Sequence, residues 1–327
     1  MKFIMMILNW FKNLFTVTSI PPEIYDETTA NEVPDPWSDP DATSMDDYYI
    51  PGSIDNQREP SKFAVLIGIN KYDPNLNADL NGCVNDVKGM YEILIKRYGF
   101  KPDNIRILTD ERATGSNIMH RMAWLVDHIV AGDELVLHYS GHGSQIRDRG
   151  VEDELEDQLD EILCPHDLDW NNPLTDDDIG NILNTKADGV FFTFICDSCH
   201  SGSIDKTIEF SGSNPNKIRY IRPPVDIRMR SIDRELPIIK VGESIGNDHV
   251  LLSGCKDNQT SADAYIDDKW QGAMTSSLLQ TLSTNPNRNW ESVHADIISI
   301  LNVGGFTQKP QLIGPDSLIQ KRNIFGV

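Results

Sequence analysis

The run "KFAVLIGIN", residues 62–70, sets the first limit on what this chain can fold into. It is apolar almost throughout and too short for a core helix, so it reads as a strand buried on both faces. Further strands are predicted at "NIRILTD", "DELVLHYSGHG", "GVFFTFICDSCHSG" and "DHVLLSGCKDNQ", with a short last one at "QKPQLIG". Helices are predicted between them. Val87, Met90, Tyr91, Leu94 and Tyr98 recur at helical spacing, and "SNIMHRMAWLVDHIV" reads as a helix with Ser116 as its N-cap. "GAMTSSLLQTLS" and "WESVHADIISILNV" complete the set. Strand and helix alternating from residue 61 to 327 predict an α/β fold, a mostly parallel central sheet with helices on both faces. Sheets of this kind carry their chemistry at the carboxyl ends of the strands.

The first 60 residues follow other rules. Residues 17–60 are dense in Pro, Asp, Glu, Ser and Thr, which break helices and ladders alike, and predict an extended tether. Residues 1–16 form an amphipathic pattern. Lys2, Asn9, Lys12 and Asn13 fall on one face, with Phe3, Ile4, Ile7, Phe11, Leu14 and Phe15 on the other. That helix has three candidate roles: packing on its own domain, lying on a membrane surface, or binding a partner. It is too short and too polar to span a bilayer.

The formal net charge of -21 argues against nucleic acid as a partner, because a phosphate backbone would be repelled. It favours cationic partners instead, a metal ion or a basic peptide. Five cysteines without regular spacing fit neither a disulfide framework nor a zinc site, and place the chain in a reducing, cytoplasmic compartment.

Two strand ends carry groups of catalytic type. "HYSGHGSQ" sets His142 on a glycine-flanked turn, and "CDSCHSGS" sets Cys199 just past an apolar run. A thiol becomes a nucleophile when a base stands by it and backbone N–H groups face the developing oxyanion. A lone His or Cys at such a place is usually inert. A His followed at this distance by a Cys, each at a predicted strand end, reverses those odds.

"HYSGHGSQ", "DSCHSGS", "NGCVNDV", "LLSGCKDNQTSADA" and "WQGAMTSSLL" together resemble the metacaspases of the caspase-like cysteine peptidase clan, over residues 61–327. The resemblance implies a caspase-like fold, a His142–Cys199 dyad, and oxyanion donors at the backbone N–H groups of Gly143 and Cys199. It also implies a pocket of Asp197, Asp86, Cys83 and Ser140 that holds Arg or Lys. Two carboxylates in a desolvated cleft suit a guanidinium. Asp86 has a second reading as a cap of the helix after "GCVN". Calcium is the implied cofactor. Asp160, Asp176 and Asp177 match three metal ligands, and Asp205 is the nearest candidate for a fourth, with Asp157 or a carbonyl as a substitute.

Residues 206–247 include a basic stretch that reads as a linker without regular structure, between a large portion (61–205) and a small portion (248–327). Lys217, Arg219, Arg222, Arg228, Arg230 and Arg234 are candidate sites of self-cleavage, Arg222 last because Pro223 follows it. Before processing, the linker is expected to occupy the acidic pocket as an inhibitor. The function expected is therefore a monomeric, calcium-activated, self-processing cysteine endopeptidase cutting after Arg or Lys. The alternatives are Asp specificity, or a scaffold that keeps the fold without turnover.

Overall fold

The structure is a computed structural model that describes residues 58–127, 129–147, 159–183, 188–199, 216–229, 249–256 and 259–326. The amphipathic segment and most of the tether lie outside these residues. A six-stranded sheet forms the centre, in the order β12-β9-β7-β3-β1-β2. Its strands are β1 (Lys62–Gly68), β2 (Ile105–Thr109), β3 (Glu134–Ser140), β7 (Phe191–Asp197), β9 (His249–Ser253) and β12 (Gln311–Ile313). All pairings are parallel except that of β12 with β9.

Alternate residues of these strands feed two cores. Val65, Ile67, Leu135, Leu137, Phe192 and Phe194 face one side, where they meet Ile118, Met122 and Leu125 of α2 (Gly115–Asp127) and Ile179 of α3 (Asp176–Leu183). Ala64, Leu66, Val136, Ile195, Val250 and Leu252 face the other. There they meet α1 (Cys83–Tyr98), α5 (Ala273–Thr284) and α6 (Trp290–Val303). Burial on both faces explains the unbroken apolar runs. A short helix, α7 (Asp316–Ile319), closes against the second core.

Three readings need correction. Ser116 lies inside α2, and the cap is Thr114, whose Oγ1 accepts from the Asn117 N–H at 3.2 Å. No strand was predicted between His142 and Gly189, where a small antiparallel sheet stands, made of β4 (Gly143–Arg147), β5 (Leu159–Leu163) and β6 (Leu174–Thr175). The basic linker also has order where it is described. β8 (Lys217–Ile218) joins β10 (Ala262–Ile266) and β11 (Lys269–Gly272) in a third sheet, and α4 (Val225–Met229) follows, with Ile221 and Ile227 buried in the first core.

Candidate active site

Parallel register brings the candidate groups together. Gly68, Ser140 and Asp197 end three adjacent strands at the same level, and β9 ends opposite Cys196. His142 lies two residues past the end of β3, and Cys199 two past the end of β7.

His142 is fixed from three sides. Its N–H donates to the Tyr72 hydroxyl at 2.8 Å, and its carbonyl accepts from Tyr139 Oη at 2.6 Å. Its Nε2 lies 2.7 Å from the Ala78 carbonyl. A carbonyl can only accept, so Nε2 carries the proton and Nδ1 keeps its lone pair. Nδ1 is buried and has no hydrogen-bond partner among the described residues. Burial lowers the His142 pKa to about 4, against a smaller upward pull from Ala78. At pH 7 the ring is therefore a neutral base with one free nitrogen. The Tyr72 ring packs on it, centroids 4.9 Å apart.

The Cys199 thiol lies against Ser261, accepting its N–H at 2.6 Å, with the Ser261 carbonyl at 3.5 Å.

Beside these groups lies a wholly buried ionic pocket. Arg219, one of the six linker residues read from sequence as candidate cleavage sites, is 0% exposed with its guanidinium in the pocket. Nη2 lies 2.8 Å from Asp86 Oδ2 and 3.2 Å from Asp263 Oδ1. Nη1 lies 2.8 Å from Ser140 Oγ and 3.2 Å from Asp197 Oδ2. Ser140 in turn donates to Asp86 at 2.6 Å. Cys83 is buried at the same site, where burial, the largest effect, pushes its thiol far up and the facing Arg219 pulls it down. Asp86 does not cap α1; Gly82 holds that position without a side-chain bond, and Asp86 accepts instead from the Gly272 N–H. Burial raises Asp86 to about 6, with Arg219 opposing, so below that pH the pocket loses a charge.

The backbone of Arg219 is held as closely as its side chain. Its carbonyl accepts from the Gly143 N–H and the Cys199 N–H, each at 3.1 Å, and its own N–H donates to the Ser261 carbonyl at 3.1 Å. Upstream, Lys217 and Ile218 pair with Asp263 and Ala262 of β10. Downstream, Ile221 donates to the Gly143 carbonyl at 3.1 Å and accepts from Ser144 Oγ at 2.6 Å. Residues 217–221 thus run through the site as an extended peptide.

Several of these groups were not singled out from sequence. Asp263 is a third pocket carboxylate, held by the Asn81 and Gly82 N–H groups at 2.8 and 2.9 Å. Thr275 donates twice to Asp197 Oδ2, from N at 2.9 Å and Oγ1 at 2.8 Å, while the Ser261 hydroxyl donates to Oδ1. Gly272 is required by space, since a Cβ there would stand 2.2 Å from Asp197 Oδ2.

The candidate metal ligands are less defined. Among the described residues no group of three or more His, Cys, Asp or Glu is arranged to hold a metal ion. Asp160 lies in β5 and Asp176 and Asp177 open α3. The pairing of Ile162 with Thr175 brings the backbone of these two stretches to the same end of the small sheet. Asp157, Asp205, Arg230 and Arg234 lie outside the described residues. Lys217 lies in β8 with its Nζ donating to the Asp79 carbonyl at 2.7 Å, and Arg228 lies in α4.

Comparison with known proteins accords with this geometry. The family model described as "Metacaspase, peptidase C14 domain" matches residues 62–207. The metacaspase-1 of Candida glabrata is 31% identical over 285 residues, which cover 76% of this chain and 71% of that protein. The chain belongs to the metacaspase family. The metacaspase-1 of Eremothecium gossypii is 34% identical over 289 residues. There the match covers 76% of this chain and 63% of the relative, so the chain spans less than two thirds of that protein's length. Protein GSU0716 of Geobacter sulfurreducens has a crystal structure that superposes with a TM-score of 0.63 at 28% identity. That match covers 82% of this metacaspase and 99% of the other chain. The motifs that suggested the resemblance are those that build the site.

Proposed function

We propose that this chain is a cysteine endopeptidase that cuts after Arg or Lys, and that its first substrate is its own bond between Arg219 and Tyr220. One observation carries the reading. The Arg219 guanidinium fills a pocket of three carboxylates while its carbonyl oxygen points at two backbone N–H donors beside a thiol. In this reading Cys199 Sγ attacks the carbonyl carbon, and the Gly143 and Cys199 N–H groups hold the oxyanion. His142 takes the thiol proton, gives it to the leaving amine, and then activates water to release the acyl group. Asp86, Asp197 and Asp263 select the side chain before the cut. An Asp side chain there would meet only like charge, which opposes Asp specificity.

The test is mass spectrometry of the purified full chain after incubation. The expected product is a fragment ending at Arg219, formed more readily than fragments ending at Lys217, Arg222, Arg228, Arg230 or Arg234, and absent from Cys199→Ala protein. Fragments ending elsewhere, at equal rate in the variant, would overturn the reading.

Calcium belongs to the same proposal. Asp160, Asp176 and Asp177, with Asp205 or Asp157, would supply the hard oxygen donors such an ion needs. The reading is supported by the backbone register that gathers the first three. Millimolar calcium is expected to raise Arg-peptide hydrolysis, and the pair Asp176→Ala with Asp177→Ala to remove that response. Activity indifferent to both chelator and calcium, with no heat of binding by calorimetry, would sink it. A cytoplasmic, monomeric enzyme acting on basic peptides remains the setting proposed.

A further inference from the structure

Cys255 takes no part in the hydrolysis set out above, yet it is placed beside the thiol that does. It follows β9, which pairs in parallel with β7, Ser253 opposite Cys196. Cys255 and Cys199 thus leave neighbouring strand ends. Their sulfurs converge on one short turn. Cys199 Sγ accepts the Ser261 N–H at 2.6 Å, while Cys255 Sγ lies 3.2 Å from the Gln259 carbonyl and 4.0 Å from that of Ser198. The neighbouring Cys199 side chain, and then burial, push the Cys255 thiol well above its ordinary pKa. All five cysteines are free.

We infer that Cys199 and Cys255 are a reversible redox pair, closing to a disulfide when a peroxide reaches the site. In the first step Cys199 thiolate attacks a peroxide oxygen; the O–O bond breaks, hydroxide leaves and takes up a proton as water, and Cys199 becomes a sulfenic acid. In the second, Cys255 sulfur attacks Cys199 sulfur. The S–O bond breaks, and the departing hydroxide takes the Cys255 proton as a second water. Two thiols are oxidised by two electrons and the peroxide is reduced to two waters. A dithiol reverses the bond.

The arrangement favours the second step. Cys255 and Cys199 leave adjacent strand ends, and both sulfurs sit on the 259–261 turn, so the attacking sulfur is already beside its target. Cys199 is 0% exposed under residues 217–221, and Cys255 is 8% exposed. Any opening that admits a peptide to Cys199 also admits a peroxide. The gain is protection, because a sulfenic acid without a nearby thiol oxidises on to the irreversible sulfinic acid.

The inference takes Cys199 as the reactive thiol and so rests on the peptidase reading in that respect. Its main test needs no turnover, so the two fail separately. The full chain, freed of reductant, is treated with hydrogen peroxide, alkylated, digested with trypsin and mapped by mass. The expected product is peptide 187–206 joined to peptide 241–256. It should be abolished by dithiothreitol, absent from Cys199→Ala and Cys255→Ser, and retained in Cys196→Ser. After peroxide and then dithiothreitol, wild type should regain most of its Arg-peptide activity. Cys255→Ser should regain about tenfold less, its Cys199 having passed to sulfinic acid. If wild type instead yields sulfinic acid at Cys199 without the cross-link, or a link from Cys196, the pair is refuted. Fragmentation of the wild-type cross-linked peptide, which separates Cys196 from Cys199 within 187–206, decides the matter even if Cys255→Ser fails to fold.

Discussion

Cys199→Ala protein is expected to show no Arg-peptide hydrolysis above background and to remain a single chain on storage, with circular dichroism like that of wild type. In the proposed reaction the thiol forms the bond to the carbonyl carbon of the residue held as Arg219 is held, beside the Gly143 and Cys199 N–H groups. Without it the oxyanion donors and the pocket still bind, but no acyl intermediate forms. A loss of at least about 1,000-fold in kcat is therefore expected, since groups that act as a unit in covalent catalysis fail together. The fold should tolerate the change. The thiol's two contacts, with the Ser261 N–H and carbonyl, are the only hydrogen bonds it gives up to that residue. Peptide turnover near the wild-type rate by the variant would remove Cys199 from the mechanism, and chain nicking that persists in it would point to a contaminating protease.

The second large effect is expected at Asp197. Its carboxylate meets Arg219, the Thr275 N–H and hydroxyl, and the Ser261 hydroxyl, all in a dry site. Its removal leaves Arg219 paired with Asp86 and Asp263 but strands the Thr275 and Ser261 donors, and each buried group left unsatisfied costs about 1–3 kcal/mol. Asp197→Ala should lose stability on that scale in urea unfolding. Binding should suffer as well. A hydrogen bond to a charged group is worth about 1.5–3 kcal/mol, so kcat/KM for Arg peptides should fall by about 10- to 150-fold. Asp197→Asn keeps the shape and most of the hydrogen bonds, and should recover stability more than it recovers cleavage. If kcat/KM in Asp197→Ala stays within about threefold of wild type, the pocket does not read the side chain before the cut.

Much of this site was legible in the chain because parallel sheets concentrate chemistry. Once "DELVLHYSGHG" and "GVFFTFICDSCHSG" read as buried strands, His142 and Cys199 had to lie at their carboxyl ends, and the ladder of Ser140 with Asp197 sets them side by side. Asp263 was harder to see. It sits on a hairpin strand, opposite Gly272, but the groups it joins there, Lys217, Arg219 and the start of α1, come from distant parts of the chain. No local spacing announces such a contact. Asp86 was ambiguous for a different reason: an acidic residue in the first turn of a helix can serve as a cap or a ligand, and only the Gly272 and Arg219 contacts distinguish the two. Arg219 was one of six candidates in the basic linker, and nothing in the sequence ranks it above the others; what singles it out is three carboxylates gathered from three separate elements.

The central sheet has a thermodynamic consequence for a chain cut at Arg219. β3 and β7 precede that bond, β9 and β12 follow it, and β9 lies against β7 in the middle of the order. Such a cut severs the backbone but leaves the ladder between the two pieces whole. The folded product is then a complex of two polypeptides, and its unfolding is a dissociation. One folded particle yields two chains, so its melting temperature rises with protein concentration, whereas that of the uncut chain does not. Dilution, which leaves an intact monomer indifferent, becomes a denaturing condition for the processed form.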